Sequence, residues 1–171
     1  FLRFAVFFRL DLITMLMNVI EDLKVSEGFR AHLYRCTRGK LTIGYGRNTE
    51  DVPFSNQEIQ MLGRTSFDIK PMTKDEAEQL LVNDVQRVVR RASTFSFWDQ
   101  LSPARQGVIV CMCFNLGVRG FLKFEDTIGY LQGAHYEAAS REMLDSKWAR
   151  KDVSNERSQR LSDQMFTGMW Q

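Results

Sequence analysis

A chain of 171 residues can bury one substantial core, which limits it to a single domain or to two small lobes that share helices. Hydrophobic residues make up 44% and charged residues 26%, with 13 Phe, which excludes the disordered and fibrous classes. The net charge of +2 is too small to argue for nucleic-acid binding, and no nucleic-acid partner is expected.

Basic residues crowd locally at Arg87, Arg90 and Arg91 and again from Lys147 to Arg160. These are either solvated helix faces or a means of attracting an anionic polymer such as a cell wall. Cys36, Cys111 and Cys113 are odd in number, and the last two diverge by roughly 200° if helical, so no disulfide framework is implied. Thiols of this kind fit a protein made in a reducing cytoplasm. With only His32 and His135 there is no zinc-ligand spacing, and neither a metal nor a cofactor is expected.

Residues 1–16 are very apolar but are interrupted by Arg3, Arg9 and Asp11. The longest uncharged run in and just beyond this segment, Leu12 to Ile20, is nine residues, against the roughly 20 that span a bilayer. No stable membrane insertion is expected, and the charges also spoil a secretory signal. The segment reads as an N-terminal extension outside the catalytic fold, with an amphipathic covering helix or an interfacial anchor as rivals.

Asn18 to Glu27 carries apolar residues at 19, 20, 23 and 25 and stops at Gly28, which predicts a short amphipathic helix. From Ala31 to Tyr45 the β-branched and aromatic residues around Thr37-Arg-Gly-Lys40 predict a hairpin. Pro53 and Ser55 open a short helix through Leu62. Thr73-Lys-Asp-Glu76 is a capping box before a helix with apolar residues at 77, 80, 81, 85, 88, 89 and 92. Ser102-Pro103 starts a helix that is apolar nearly all round and ends at Gly117. Shorter helices are expected at 125–132, 136–146 and 155–167.

The chemistry concentrates between Glu27 and Gly46. Glu27, Cys36 and Thr42 follow the pattern Glu-x8-Cys-x5-Thr, and Glu27 is the sole carboxylate from Lys24 through Asn48. A carboxylic acid at the junction of an apolar helix and a small sheet can be desolvated enough to keep its proton, as glycosidic-bond hydrolysis requires of the general acid.

This segment, with Thr42-Ile-Gly-Tyr-Gly46, Asp75-Glu-Ala-Glu78, Phe114-Asn-Leu-Gly117, Ser146-Lys-Trp148 and Thr167-Gly-Met-Trp170, resembles the T-even phage lysozyme family in order and spacing from Met17 to Trp170. The resemblance implies an α+β, lysozyme-like fold with a mixed lobe (17–72), a connecting helix (73–92) and a helical lobe (93–171), with the active-site cleft between the lobes. It implies a peptidoglycan hydrolase that cuts the β-1,4 bond between N-acetylmuramic acid and N-acetylglucosamine. By position, Glu27 would be the general acid and Thr42 would face the attacking water. Asn48, Phe114, Asn115 and Thr127 would contact the sugar, and Arg157 would orient Glu27.

One departure is Cys36, where the best-known members carry Asp. A thiol with a reference pKa of about 8.5 is mostly neutral at pH 7 and lacks the fixed charge of an aspartate. Cys36 would either orient water with Thr42 in an inverting reaction, the favoured role, or attack as thiolate in a retaining one; filling a hairpin is the plain structural alternative. Another departure is Arg38 with Lys147, two like charges in place of the family's ion pair at the cleft lips.

The resemblance further implies a monomeric phage or prophage endolysin that acts on glycan strands. It would be held in the host cytoplasm until a holin permeabilises the membrane. Two rival readings are a catalytically silent wall-binding or phage structural module, and a hydrolase of chitin or a related glycan.

Overall fold

The computed structural model describes the backbone of residues 2–36, 39–67 and 69–171, with side chains from residue 10 onward. Arg38 and most of the hairpin tip at 37–38 therefore lie outside the described residues, as does Phe1 of the N-terminal segment. The chain opens with α1 (Leu2–Glu27), followed by the antiparallel sheet β1 (Arg30–Arg35), β2 (Leu41–Gly44) and β3 (Arg47–Asn48), in that order. Helices α2 (Asn56–Leu62), α3 (Lys74–Ala92), α4 (Pro103–Leu116), α5 (Val118–Phe121), α6 (Glu125–Gln132), α7 (Tyr136–Leu144) and α8 (Asn155–Thr167) complete it. One small sheet among many helices is the α+β class expected from the sequence.

Two compact units make up the chain, one formed by residues up to Val19 with Val88–Gln171 and the other by Ile20–Arg87. The first helix is longer than the pattern at 18–27 predicts. No Gly or Pro interrupts residues 2–27, so nothing in the backbone stops the helix before Gly28, whose φ of 66° takes the left-handed termination. Met15 and Val19 are buried on one stripe of α1, while Leu10, Ile13 and Met17 are exposed on another.

In the unit Ile20–Arg87, α2 and α3 begin as their sequences dictate. Ser55 and Glu58 form a reciprocal capping box at α2. At α3, the Glu76 amide donates to Thr73 Oγ1 (3.2 Å) and the Thr73 amide to Glu76 Oε2 (2.8 Å). Glu76 also receives both arms of the Arg64 guanidinium at 2.7 Å each. Chiefly because of Arg64, and against the opposing effect of burial, its carboxyl drops from the ordinary 4.5 to about 2. A depressed folded-state pKa means stability that is present above pH 4.5 and lost as pH falls towards 2. Glu76→Gln is expected to flatten the acid limb of the stability curve across that window, read from urea midpoints at stepped pH.

The same unit is centred on Arg47, whose side chain is 2% exposed. Its Nε donates to Asp84 (2.8 Å) and its Nη2 to Glu58 (2.5 Å), while Asn83 and the Ser55 amide also donate to Glu58. Arg87 pairs with Asp84 from the next turn of α3.

In the other unit α4 is the buried centre, with Val108, Ile109, Val110 and Met112 all at 0% exposure. Its Ser102 N-cap accepts from the Arg105 amide as the Ser-Pro pair predicts. Gly107 is required where Trp170 and Val19 pack onto α4, since a Cβ there would sit 2.6 Å from the indole. Arg105 binds the last carbonyls of α8 at Met165 and Phe166 (2.8 Å each), and Gln164 donates to Ala104. These bonds fasten the C-terminal helix to α4. Cys111 and Cys113 are buried in α4, and burial pushes the Cys113 thiol up to about 12, which makes it a packing residue.

Among the described residues no helix is long and apolar enough to cross a membrane.

Candidate active site

Glu27 is the last residue of α1, and Gly28 turns the chain directly into β1. Its carboxylate lies against the backbone of Gly46, where a Cβ would meet Glu27 Oε2 at 2.8 Å and Cδ at 3.2 Å. Gly46 also has φ 78°, so both its conformation and its lack of a side chain serve the approach of Glu27. Gly44 of the same Thr-Ile-Gly-Tyr-Gly stretch does a different job, placing its backbone where a Cβ would stand 3.2 Å from Ala77 Cβ and from Met72 Sδ. Gly46→Ala is expected to lower kcat about a hundredfold with a modest loss of melting temperature. The added methyl displaces the flexible end of Glu27 rather than the core. A readout of kcat, KM and thermal melting together checks this, and unchanged kcat would contradict it.

The sheet supplies the second half of the site. Tyr34 pairs with Thr42, and Thr42 pairs with Asn48, so all three side chains share one face, with Cys36 two residues beyond Tyr34 on the same alternation. Lys40 O ties the group together: it accepts from the Cys36 amide (3.0 Å) and from Thr42 Oγ1 (3.0 Å). Thr42 is buried and its hydroxyl proton is committed to that carbonyl, so Oγ1 can serve a further partner only as an acceptor.

Tyr34 is the residue sequence reading missed. Its hydroxyl is pushed up by burial first and then by the charges of Glu27 and Cys36, with Arg30 opposing. Both Glu27 and Cys36 therefore lie within electrostatic reach of the ring, over which the Arg30 guanidinium sits at 5.6 Å. The signal was the period of two running back from Cys36 to Tyr34. Asn48 holds its own loop, accepting from the amides of Glu50 and Asp51 (3.0 Å each) and donating to Asp51 Oδ2 (2.8 Å). A contact from Asn48 to a ligand would come from a side chain already fixed by that turn.

The remaining predicted residues belong to the helical unit. Phe114 and Asn115 are half-buried near the end of α4, and buried Arg157 on α8 donates from Nη1 to Asn115 Oδ1 at 3.0 Å. Thr127 is fully buried at the first turn of α6 and lines a hollow of roughly 480 Å³ with Phe124, Glu142, Lys147 and Trp148. Among the described residues Thr127 Oγ1 and Trp148 Nε1 are buried polar atoms with no hydrogen-bond partner, a state that buried groups rarely keep without a ligand or water. Among the described residues no group of three or more His, Cys, Asp and Glu could hold a metal ion.

A mixed α+β fold thus carries a carboxylate at a helix–sheet junction and a buried threonine on the adjoining sheet. The chain belongs to the phage lysozyme family, whose model matches residues 24–163. It is 25% identical over 166 residues to the protein named Probable T4-type lysozyme 1 of Dictyostelium discoideum, covering 90% of this chain and 96% of that one. It is 25% identical over 136 residues to an endolysin of Acyrthosiphon pisum secondary endosymbiont phage 1, covering 80% of each. A third relative is the pre-baseplate central spike protein of Enterobacteria phage T4, 26% identical over 163 residues, which spans 89% of this chain but 28% of that protein.

Proposed function

We propose that the protein hydrolyses the β-1,4 bond between N-acetylmuramic acid and N-acetylglucosamine, with Glu27 as general acid. The observation that carries this is the Glu27 carboxylate lodged against Gly46, beside a sheet whose Tyr34 feels its charge. In this reading Glu27 protonates the leaving oxygen. A water donates a hydrogen bond to Thr42 Oγ1, which accepts because its own proton is held by Lys40 O; the water oxygen bonds to the anomeric carbon as the bond to the leaving oxygen breaks, and the water's proton passes to solvent. Cys36 shares the orientation of that water, and the reaction inverts. Asn48, Phe114, Asn115 and Thr127 serve as substrate contacts, and Arg157 orients Glu27. Mass spectrometry of borohydride-reduced wall digests tests the bond assignment: new ends carried by muramic acid support it, and new ends carried by glucosamine overturn it.

Cys36→Ser is expected to keep most activity, because a hydroxyl can still hold water, whereas Cys36→Ala loses about tenfold, the worth of one ordering hydrogen bond. Equal rates for wild type, Ser and Ala would reduce Cys36 to filling the hairpin. The anomer first released, read by proton NMR on a defined oligosaccharide, tests inversion.

By the same reading the protein is a monomeric endolysin that waits in the host cytoplasm and reaches the wall after a holin opens the membrane. The likeness to a phage spike protein favours one second reading, a lysozyme-fold structural module without catalysis.

A further inference from the structure

On the surface of the helical unit, Tyr130, Ala134, His135, Tyr136, Glu137 and Phe166 line a second hollow of roughly 460 Å³. None of these residues figures in the proposed catalytic chemistry. Two large aromatic side chains stand out to solvent there, Tyr130 at 38% and Phe166 at 51% exposure. Exposed aromatic clusters of this kind usually mark a binding surface.

The hollow is also built rigidly. Tyr136 is held on one face by the Arg105 guanidinium, 3.7 Å from the ring centroid, and by its hydroxyl, which donates to Gln100 O at 3.1 Å. The turn from α6 to α7 is closed by amide bonds from Gly133 to Gly129, Ala134 to Leu131 and His135 to Tyr130. That closure forces Ala134 to φ 56°, the one non-glycine residue with positive φ among the described residues. Strain of this sort collects where a turn must present neighbouring groups in one place. His135 folds back over Gly133, where a Cβ would meet its Cδ2 at 2.8 Å, so the imidazole too has a fixed place. Glu137 is paired with Arg141, which balances its charge.

We infer that this hollow is a second, non-catalytic binding site for a neutral N-acetylhexosamine segment of the wall glycan. Aromatic rings pack against the C–H faces of a sugar, while the Tyr130 hydroxyl, the His135 imidazole and the Glu137 carboxylate offer hydrogen bonds to its hydroxyl and acetamido groups. The inference rests on the glycan-hydrolase reading for its ligand class but not on Glu27.

Two measurements on the full chain test it. Tyr130→Ala with Phe166→Ser, both at exposed positions, is expected to weaken retention on insoluble peptidoglycan sacculi about tenfold, with melting temperature and the rate on a short soluble glycan oligomer unchanged. In wild-type protein, a tetramer of β-1,4-linked N-acetylglucosamine is expected to shift the resonances of Tyr130, His135, Tyr136 and Phe166. Unchanged retention, a parallel fall in the soluble rate, or no shift at these residues at millimolar tetramer overturns the inference. If wild type fails to cleave glycan, the catalytic reading falls, and the retention and shift data still decide this site.

Discussion

Glu27→Gln is expected to lower the rate of clearing of permeabilised bacteria about a thousandfold while leaving the fold intact. A positioned general acid contributes 10²–10⁴ in rate, and Gln keeps the size and hydrogen-bonding reach of Glu without the proton. The substitution is close to isosteric where the fit is tight, with Gly46 accommodating the Oε2 end of the side chain. The loss should fall on kcat rather than KM, because the proton moves only in the transition state. Equal clearing by wild type and variant would dismiss Glu27, and no clearing by either would favour the silent structural module. Burial-driven elevation of Tyr34 keeps its phenol neutral across the working range, so the site's pH profile should not carry a tyrosine limb.

Arg47→Ala is expected to destabilise the unit Ile20–Arg87 by about 3–5 kcal/mol, the usual cost of stripping one partner from a buried ion cluster. Arg47 bridges Glu58 on α2 to Asp84 on α3, and both carboxylates are buried. Burial already holds Asp84 above the usual carboxylate range, with Arg47 and Arg87 opposing. Burial also pushes Glu58 up, but the Ser55 amide, Asn83 and Arg47 together keep it low. Removing Arg47 therefore costs most where both acids are ionised. The deficit should shrink as pH falls and protons neutralise them, the same sense as the Glu76→Gln deficit. Urea midpoints of wild type and variant at pH 7 and pH 4 read the difference directly; equal midpoints at pH 7 would mean that the cluster contributes nothing net.

Much of the local structure was legible in the sequence. Ser55 with Glu58, Thr73 with Glu76 and Ser102 with Pro103 mark the starts of α2, α3 and α4, because a cap is made by residues three positions apart and needs no tertiary partner. The reach of α1 back to Leu2 was less legible. The eye stops at the charges of Arg3, Arg9 and Asp11, yet these residues do not break a helix, and the breakers Gly and Pro are absent. The Arg47 cluster was invisible, since Arg47 and Asp84 are 37 positions apart and no pattern in either segment announces the other.

Glu27, Cys36 and Thr42 could be singled out as candidates by residue type, spacing and family resemblance. Sequence by itself thus determined the fold class, the helix starts and the identity of the candidate acid. Tertiary structure alone decided what surrounds them. It showed that a side chain at Gly46 would collide with the Glu27 carboxylate, that Lys40 O accepts from the Thr42 hydroxyl, and that Tyr34 pairs with Thr42 on the same sheet face. These depend on contacts made through space by a turn, a strand register and a left-handed glycine. The energy of such contacts lies in distances of a few ångströms that residue order does not encode locally.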